Sequence, residues 1–228
     1  MASSEHRGQL QQQDILRRQS ISHHLQVTSF GGSGTTMLLQ FFASQQLPIP
    51  SEHDSGVWKH LPSPPTPSRY VLPSDFRAVY LVSDPVGALL SLFRRGVHMA
   101  HAVRMQSERN WPDSFLLRDE PNPPWGLRDF VSLGRDCFGL TDQFHAWTGC
   151  EHSKRGYPIA LVRYEFLWEH LADLFSFVGL PVSRIKLFPA RRNRSINSVA
   201  TSQDINALSD IYGDLCKRMN SLPPFSVY

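Results

Sequence analysis

Apolar residues in this chain gather into a few short runs whose spacing alternates between the strand period and the helix period. Residues 25–30 form an apolar run of strand length, and residues 35–46 place Met37, Leu38, Phe41 and Phe42 on one helical face. Residues 78–83 predict a second strand. Asp84-Pro85 then opens a helix through Leu89, Leu90, Leu92 and Phe93, with proline just inside its start as a first-turn signal. Gly156-Tyr157-Pro158 introduces a third strand at residues 159–163. Residues 165–178 carry Phe166, Leu167, Leu171, Leu174 and Phe175 at helical spacing, and Gly179 ends the run. Residues 142–150 read as helical, and residues 201–219 as a final helix with Thr201 and Asp204 as a capping pair.

Strand alternating with helix three times predicts an α/β fold, a parallel sheet flanked by helices in a single domain. In such sheets the ligand lies beyond the C-terminal ends of the strands. Residues 29–36, Ser83 to Pro85 and Tyr164 all fall there. Between the periodic runs the chain is polar or broken. Residues 1–24 read as a flexible polar arm, so that the domain spans residues 25–228. Residues 47–73 read as a proline-rich surface loop with a short strand at residues 57–60, since Pro62, Pro64, Pro65 and Pro67 forbid regular helix. Residues 98–136 are irregular and charged, and read as a mobile cap over the site.

A length of 228 residues suits one domain with a sizeable core. The formal charge of +3 comes from basic residues spread along the chain, which suits a small anionic ligand better than a nucleic-acid track. Cys137, Cys150 and Cys216 are odd in number and far apart, so they suggest neither a disulfide framework nor a metal site. No apolar stretch reads as a signal peptide or reaches membrane-spanning length, and the expectation is a soluble cytoplasmic protein without nucleic-acid or membrane partners.

The chemistry concentrates at Ser29-Phe30-Gly31-Gly32-Ser33-Gly34-Thr35-Thr36-Met37. A glycine turn between strand and helix points backbone N–H groups at the positive end of the helix dipole and lets an anion approach without a Cβ in the way. A nucleotide-hydrolysing loop has lysine where this chain has Thr35, which weakens an ATPase or GTPase reading. A turn that merely joins strand to helix is the plain alternative.

Four separated segments together resemble the sulfotransferases that use 3′-phosphoadenosine 5′-phosphosulfate (PAPS). Ser33-Gly34-Thr35-Thr36 is similar to that family's 5′-phosphosulfate loop. Lys59-His60-Leu61-Pro62 is similar to the segment that carries its catalytic base. Tyr80 to Pro85, continuing to Ser91, resembles its 3′-phosphate segment, and Leu161-Val162-Arg163-Tyr164-Glu165, closed by Gly179-Leu180-Pro181, its Tyr-Glu segment and following helix. The resemblance covers residues 25–181 and implies a P-loop-containing parallel sheet. It also implies PAPS as co-substrate, no metal, and a small hydroxyl- or amine-bearing acceptor as the partner.

The implied roles are specific. His60 is the general base, with Lys59 beside it. Gly32, Ser33, Gly34, Thr35 and Thr36 hold the 5′-phosphate, Ser83 and Ser91 the 3′-phosphate, and Tyr164 the adenine. Arg192 and Arg194 lie where the family has a basic loop. At an ordinary histidine pKa roughly three quarters of His60 is neutral at pH 7, as a base requires. Two departures remove charge: Gly32 and Ser83 stand where the family has basic residues. Losing one such donor costs about 3 kcal/mol in the barrier, about a hundredfold in rate. Arg94, Arg95 and Arg191 are further basic candidates to make up the loss, and Trp58, Trp111, Trp125 and Trp147 are candidates for an acceptor pocket or for the core. Three readings stay open: an active sulfotransferase, a binding-only relative, and a divergent nucleotide kinase or hydrolase.

Overall fold

In the computed structural model, residues 19–50, 58–99, 101, 126–191 and 200–228 are described. β1 (Gln19–Ser20) is followed by β2 (Leu25–Thr28), which is buried at every position as expected of a strand covered on both faces. The glycine turn leads from β2 into α1 (Thr35–Ser44). β3 (Tyr70–Val71) pairs in parallel with β1. β4 (Arg77–Val82) runs into α2 (Pro85–Arg94), where Asp84 caps the helix by accepting the Gly87 N–H at 2.7 Å.

Beyond these come α3 (Leu127–Ser132), α4 (Leu140–Gly149), the short α5 (His152–Arg155) and β5 (Ile159–Arg163). They are followed by α6 (Leu171–Val178), α7 (Ser202–Ser221) and β6 (Phe225–Val227). The main sheet has four strands in the order β2-β4-β5-β6. β2, β4 and β5 are mutually parallel, with Thr28 opposite Tyr80 and Val82 opposite Arg163, and β6 is antiparallel to β5. The α/β architecture with a mostly parallel sheet is therefore the observed one.

Strand alternation divides the core into two layers. Ala78, Tyr80, Ile159 and Leu161 face α2, α3, α4 and α7, with Trp147 stacked on Tyr80 at 5.2 Å. Val27, Val79, Leu81, Ala160 and Val162 face α1 and α6. Trp147 thus belongs to the core, fully buried.

Several boundaries differ from expectation. The packed domain reaches back to residue 19, because Ile21 is buried in the core and β1 is tied to β3. Residues 58–60 form a turn, not a strand. The Gln26 side chain donates to the Trp58 carbonyl and the Ser29 N–H to the Lys59 carbonyl, so the turn is fastened onto β2. The helix expected from residue 165 begins at Leu171, after a 3-10 turn at Tyr164–Phe166, so the apolar spacing there spans two elements. α3 and the edge strand β6 are additions. The expected arm at residues 1–18, most of the expected cap (102–125), Trp111, Trp125, Arg192 and Arg194 lie outside the described residues.

Candidate functional site

Ser29, the first residue beyond β2, is fully buried and anchors the glycine turn. Its hydroxyl accepts the Gly31 N–H at 3.0 Å and bonds the Thr35 hydroxyl. The Ser33 hydroxyl donates to the Gly31 carbonyl at 3.2 Å and meets the Ser83 hydroxyl at 2.6 Å, joining the turn to the end of β4. Ser33 and Thr35 therefore spend their side chains holding the loop; Thr36 is exposed at the helix start.

Gly34 is the N-cap of α1, left-handed at φ 82°, and offers no side chain to cap it. The first turn of α1 holds no carboxylate. The first N–H groups of a helix have no intrahelical partner, so the sheet end presents an uncapped donor set suited to an anion. A Cβ on Gly34 would lie 2.5 Å from Cε2 of Tyr164, which places the Tyr164 ring against the loop. A Cβ on Gly32 would lie 2.5 Å from the Ala88 carbonyl oxygen, so α2 fills the space that a side chain at 32 needs. The absence of a basic residue there is thus a packing requirement of this fold.

His60 is 9% exposed, and its Nδ1 lies 3.0 Å from the Ser29 carbonyl. A carbonyl only accepts, so Nδ1 carries a proton and donates it to Ser29. The ring turns Cε1 to the loop, 3.5 Å from a Cβ position on Gly31. Lys59, partly buried beside it, gives its carbonyl to the Ser29 N–H at 3.0 Å.

Two residues here escaped the sequence reading. His101, seven residues beyond the end of α2, is 3% exposed; its ring meets His60 edge-on at 4.7 Å, and its Cε1 is 3.1 Å from the Gly31 Cβ position. Nothing in the irregular segment around it flags it. Gln143 on α4 is fully buried and donates to the Leu61 carbonyl at 2.7 Å and the Ser29 carbonyl at 3.4 Å, with the Trp147 indole on the same Leu61 oxygen at 2.9 Å. A signal existed, since Leu140, Gln143, Phe144 and Trp147 fall on one helical stripe and the glutamine is its only strongly polar member.

On the other side of Ser83 lies a cavity of about 140 Å³ lined by Ser83, Asp84, Arg163, Glu165, Cys216 and Asn220 among others. The Arg163 guanidinium is spent on α7, donating to the Asn220 side chain at 2.8 Å and lying over Phe166 at 4.8 Å. Glu165 accepts the Asp84 N–H at 2.9 Å. Burial pushes the Cys216 thiol above its ordinary pKa, and the nearby Asp84 carboxylate adds to this. Ser91 is buried on the face of α2 that carries Ala88 and Leu92. Arg94 and Arg95 stand exposed at the far end of that helix, and Arg191 lies over Trp168.

Comparison with family models, with curated proteins and with solved structures returns no match. Among the described residues no group of three His, Cys, Asp or Glu side chains is placed to hold a metal, and no helix is long and apolar enough to cross a membrane.

Proposed function

We propose that the chain is a sulfotransferase that moves a sulfuryl group from PAPS to a hydroxyl or amine acceptor. The observation that carries the reading is the position of His60. A histidine 31 residues along the chain is held by Ser29 through Nδ1 and turned toward the glycine loop.

The 5′ end of the donor fits the residues present. The glycine turn, the uncapped α1 amides and the exposed Thr36 hydroxyl offer donors to one phosphosulfate, and Tyr164 against Gly34 offers a ring face beside it. The donor supplies an electrophilic sulfur and a phosphate leaving group. His60 Nε2 takes the proton of the acceptor as the new bond to sulfur forms, and the amides receive the charge that collects on the departing oxygen. Thr35 stands where a nucleotide-hydrolysing loop has its lysine and turns its hydroxyl inward to Ser29, which gives no support to a kinase or hydrolase.

A second reading, nucleotide binding without turnover, is favoured by Gly32 and Ser83, which leave uncharged two places where the resemblance implies basic residues. Beside Ser83, the Arg163 guanidinium is engaged with Asn220 and does not replace the lost charge.

Thermal shift separates the nucleotide classes. Adenosine 3′,5′-bisphosphate stabilises the protein under both sulfotransferase-like readings, whereas stabilisation by ATP with magnesium alone refutes them. Transfer of labelled sulfate from PAPS to a mixed panel of alcohols, phenols and amines then separates the two. Activity lost in His60→Gln supports the enzyme. Nucleotide binding with no transfer to any acceptor leaves the binding protein.

A further inference from the structure

The turn that carries His60 is held from two directions. At the end of β2, Ser29 donates its N–H to the Lys59 carbonyl at 3.0 Å, and the Thr28 hydroxyl accepts the Leu61 N–H at 3.1 Å. From α4, Gln143 donates to the Leu61 carbonyl at 2.7 Å and, through a longer contact of 3.4 Å, to the Ser29 carbonyl. That second carbonyl is the one that takes His60 Nδ1. We infer that Gln143 is a positioning residue for His60, its amide bracing the backbone just after the histidine against the carbonyl that holds the ring. This rests on the reading of His60 as the general base of a sulfuryl transfer.

Three features of the amide support the role. Both of its partners are carbonyls, which only accept, so its NH2 group faces them and its orientation follows from chemistry. Its Oε1 is buried and meets no donor among the described residues. An orphaned buried acceptor costs stability that an apolar side chain of the same length would not, so packing alone does not account for an amide here. Neither carbonyl depends on it, since Leu61 keeps the Trp147 indole at 2.9 Å and Ser29 keeps His60. Removing the amide leaves both carbonyls paired; what it removes is the link between them.

The link falls where the backbone has few handles. Pro62 follows Leu61 and has no N–H, so the peptide between them can be fastened only through its carbonyl. Gln143 and Trp147, four residues apart on one face of α4, grip that oxygen together. The described hydrogen bonds of the Gln143 amide go neither to the glycines of the turn nor to α1, so phosphate binding there does not require it.

The test is Gln143→Met, which keeps the length and volume of the side chain without a donor, with Gln143→Leu made alongside. Each full chain is compared with the parent in thermal melting, in binding of adenosine 3′,5′-bisphosphate, and in transfer of labelled sulfate from PAPS to an acceptor that the parent uses. The expected variant melts within about 4 °C of the parent. It binds the bisphosphate with unchanged affinity and keeps its KM for PAPS. Its kcat falls by about tenfold to a hundredfold, as for a reacting group displaced by up to about 1 Å. Imidazole NMR supplies a readout that a purely structural role does not move. The Nδ1 proton of His60, assigned by its loss in His60→Gln, exchanges with water faster in Gln143→Met than in the parent.

An unchanged kcat overturns the inference and leaves the sulfotransferase reading standing. A lower kcat without faster exchange of the His60 proton also overturns it, because the loss then arises elsewhere. Failure of both variants to fold does the same, since the amide is then a structural prop. A parent that binds the bisphosphate and transfers sulfate to no acceptor removes the enzyme reading, and the inference with it.

Discussion

Gly32→Ala measures how tightly the turn is pressed onto α2. Two costs arise, and they can be measured apart. The residue sits at φ 71°, where an L side chain costs about 1–2 kcal/mol. The added Cβ would also stand 2.5 Å from the Ala88 carbonyl oxygen and 3.0 Å from its Cα. Those are helix backbone atoms that cannot rotate away, and forced overpacking of this kind costs about 1–3 kcal/mol. The expected destabilisation is about 2–5 kcal/mol, a large share of the about 5–15 kcal/mol that holds a domain folded.

Gly134→Ala is the reference. That glycine has nearly the same φ, 63°, with nothing within 4 Å of its Cβ position, so only the conformational cost of about 1–2 kcal/mol applies. Urea denaturation of the three proteins without ligand reads both numbers. Gly32→Ala should lie at least about 1 kcal/mol below Gly134→Ala, with a melting point lower than that of the parent by about 4–20 °C. Equal stabilities for the two variants would show that α2 does not seal position 32 and would sink the packing account of the missing basic residue.

Gly34→Ala should be destabilising through the Tyr164 ring, and Tyr164→Leu in the same chain should recover part of the loss. A double-mutant cycle by urea denaturation reads this coupling, expected near about 1 kcal/mol. Tyr212→Phe removes a hydroxyl that donates to Asp136 at 2.9 Å and should cost about 1–2 kcal/mol. Burial and the Asp136 carboxylate hold that hydroxyl well above its ordinary pKa of 10.0. Its stabilisation is therefore intact below about pH 10 and is lost as pH rises beyond that, because the unfolded chain ionises first. The alkaline limb of the pH–stability curve should be shallower in Tyr212→Phe. Thr201→Ala breaks the capping box of α7 and should cost about 1 kcal/mol in a thermal melt. The hydrogen bonds from Thr201 lower the Asp204 carboxyl below its ordinary 3.8, so its contribution is present above that value and lost as pH falls through the lowered one. Asp204→Asn should flatten the acid limb.

What was legible in the sequence was whatever depends on neighbours close along the chain. β2, β4 and β5, α2 with its Asp84-Pro85 start, and the Thr201–Asp204 capping box follow from local spacing and caps, and the structure holds them where the pattern put them. The meeting of residues 29–36, Ser83 and Tyr164 followed from a topological rule and appears in direct contacts, whereas His60 entered only through the resemblance. What failed depended on partners far along the chain. The turn at residues 58–60 reads as a strand because Trp58 is bulky and apolar, yet its hydrogen bonds go to Gln26, Thr28 and Ser29. β6 is a strand because β5 has an open edge beside it, and nothing within residues 225–227 says so. The hydroxyls of Ser33 and Thr35 looked like ligand donors from their place in a motif; their burial, decided by Ser83 and Ser29, turns them inward.

Ser29 shows why the site cannot be assembled apart from the fold. Its N–H bonds Lys59, its carbonyl takes His60 and Gln143, and its hydroxyl takes Gly31 and Thr35, so every hydrogen-bonding atom of one fully buried residue is committed to a different part of the site. The residue follows directly on β2, whose parallel pairing with β4 also sets the place of Ser83 and of the start of α2. The place of His60 relative to the start of α1 is thereby fixed through Ser29 and strand register. The proposed sulfuryl transfer would draw its rate from positioning and would need that rigidity, since small displacements of a reacting group are costly. The same rigidity forbids a lysine at position 32, because making room for one means moving α2, and moving α2 moves Ser83 and the contact with Ser33 that closes the loop.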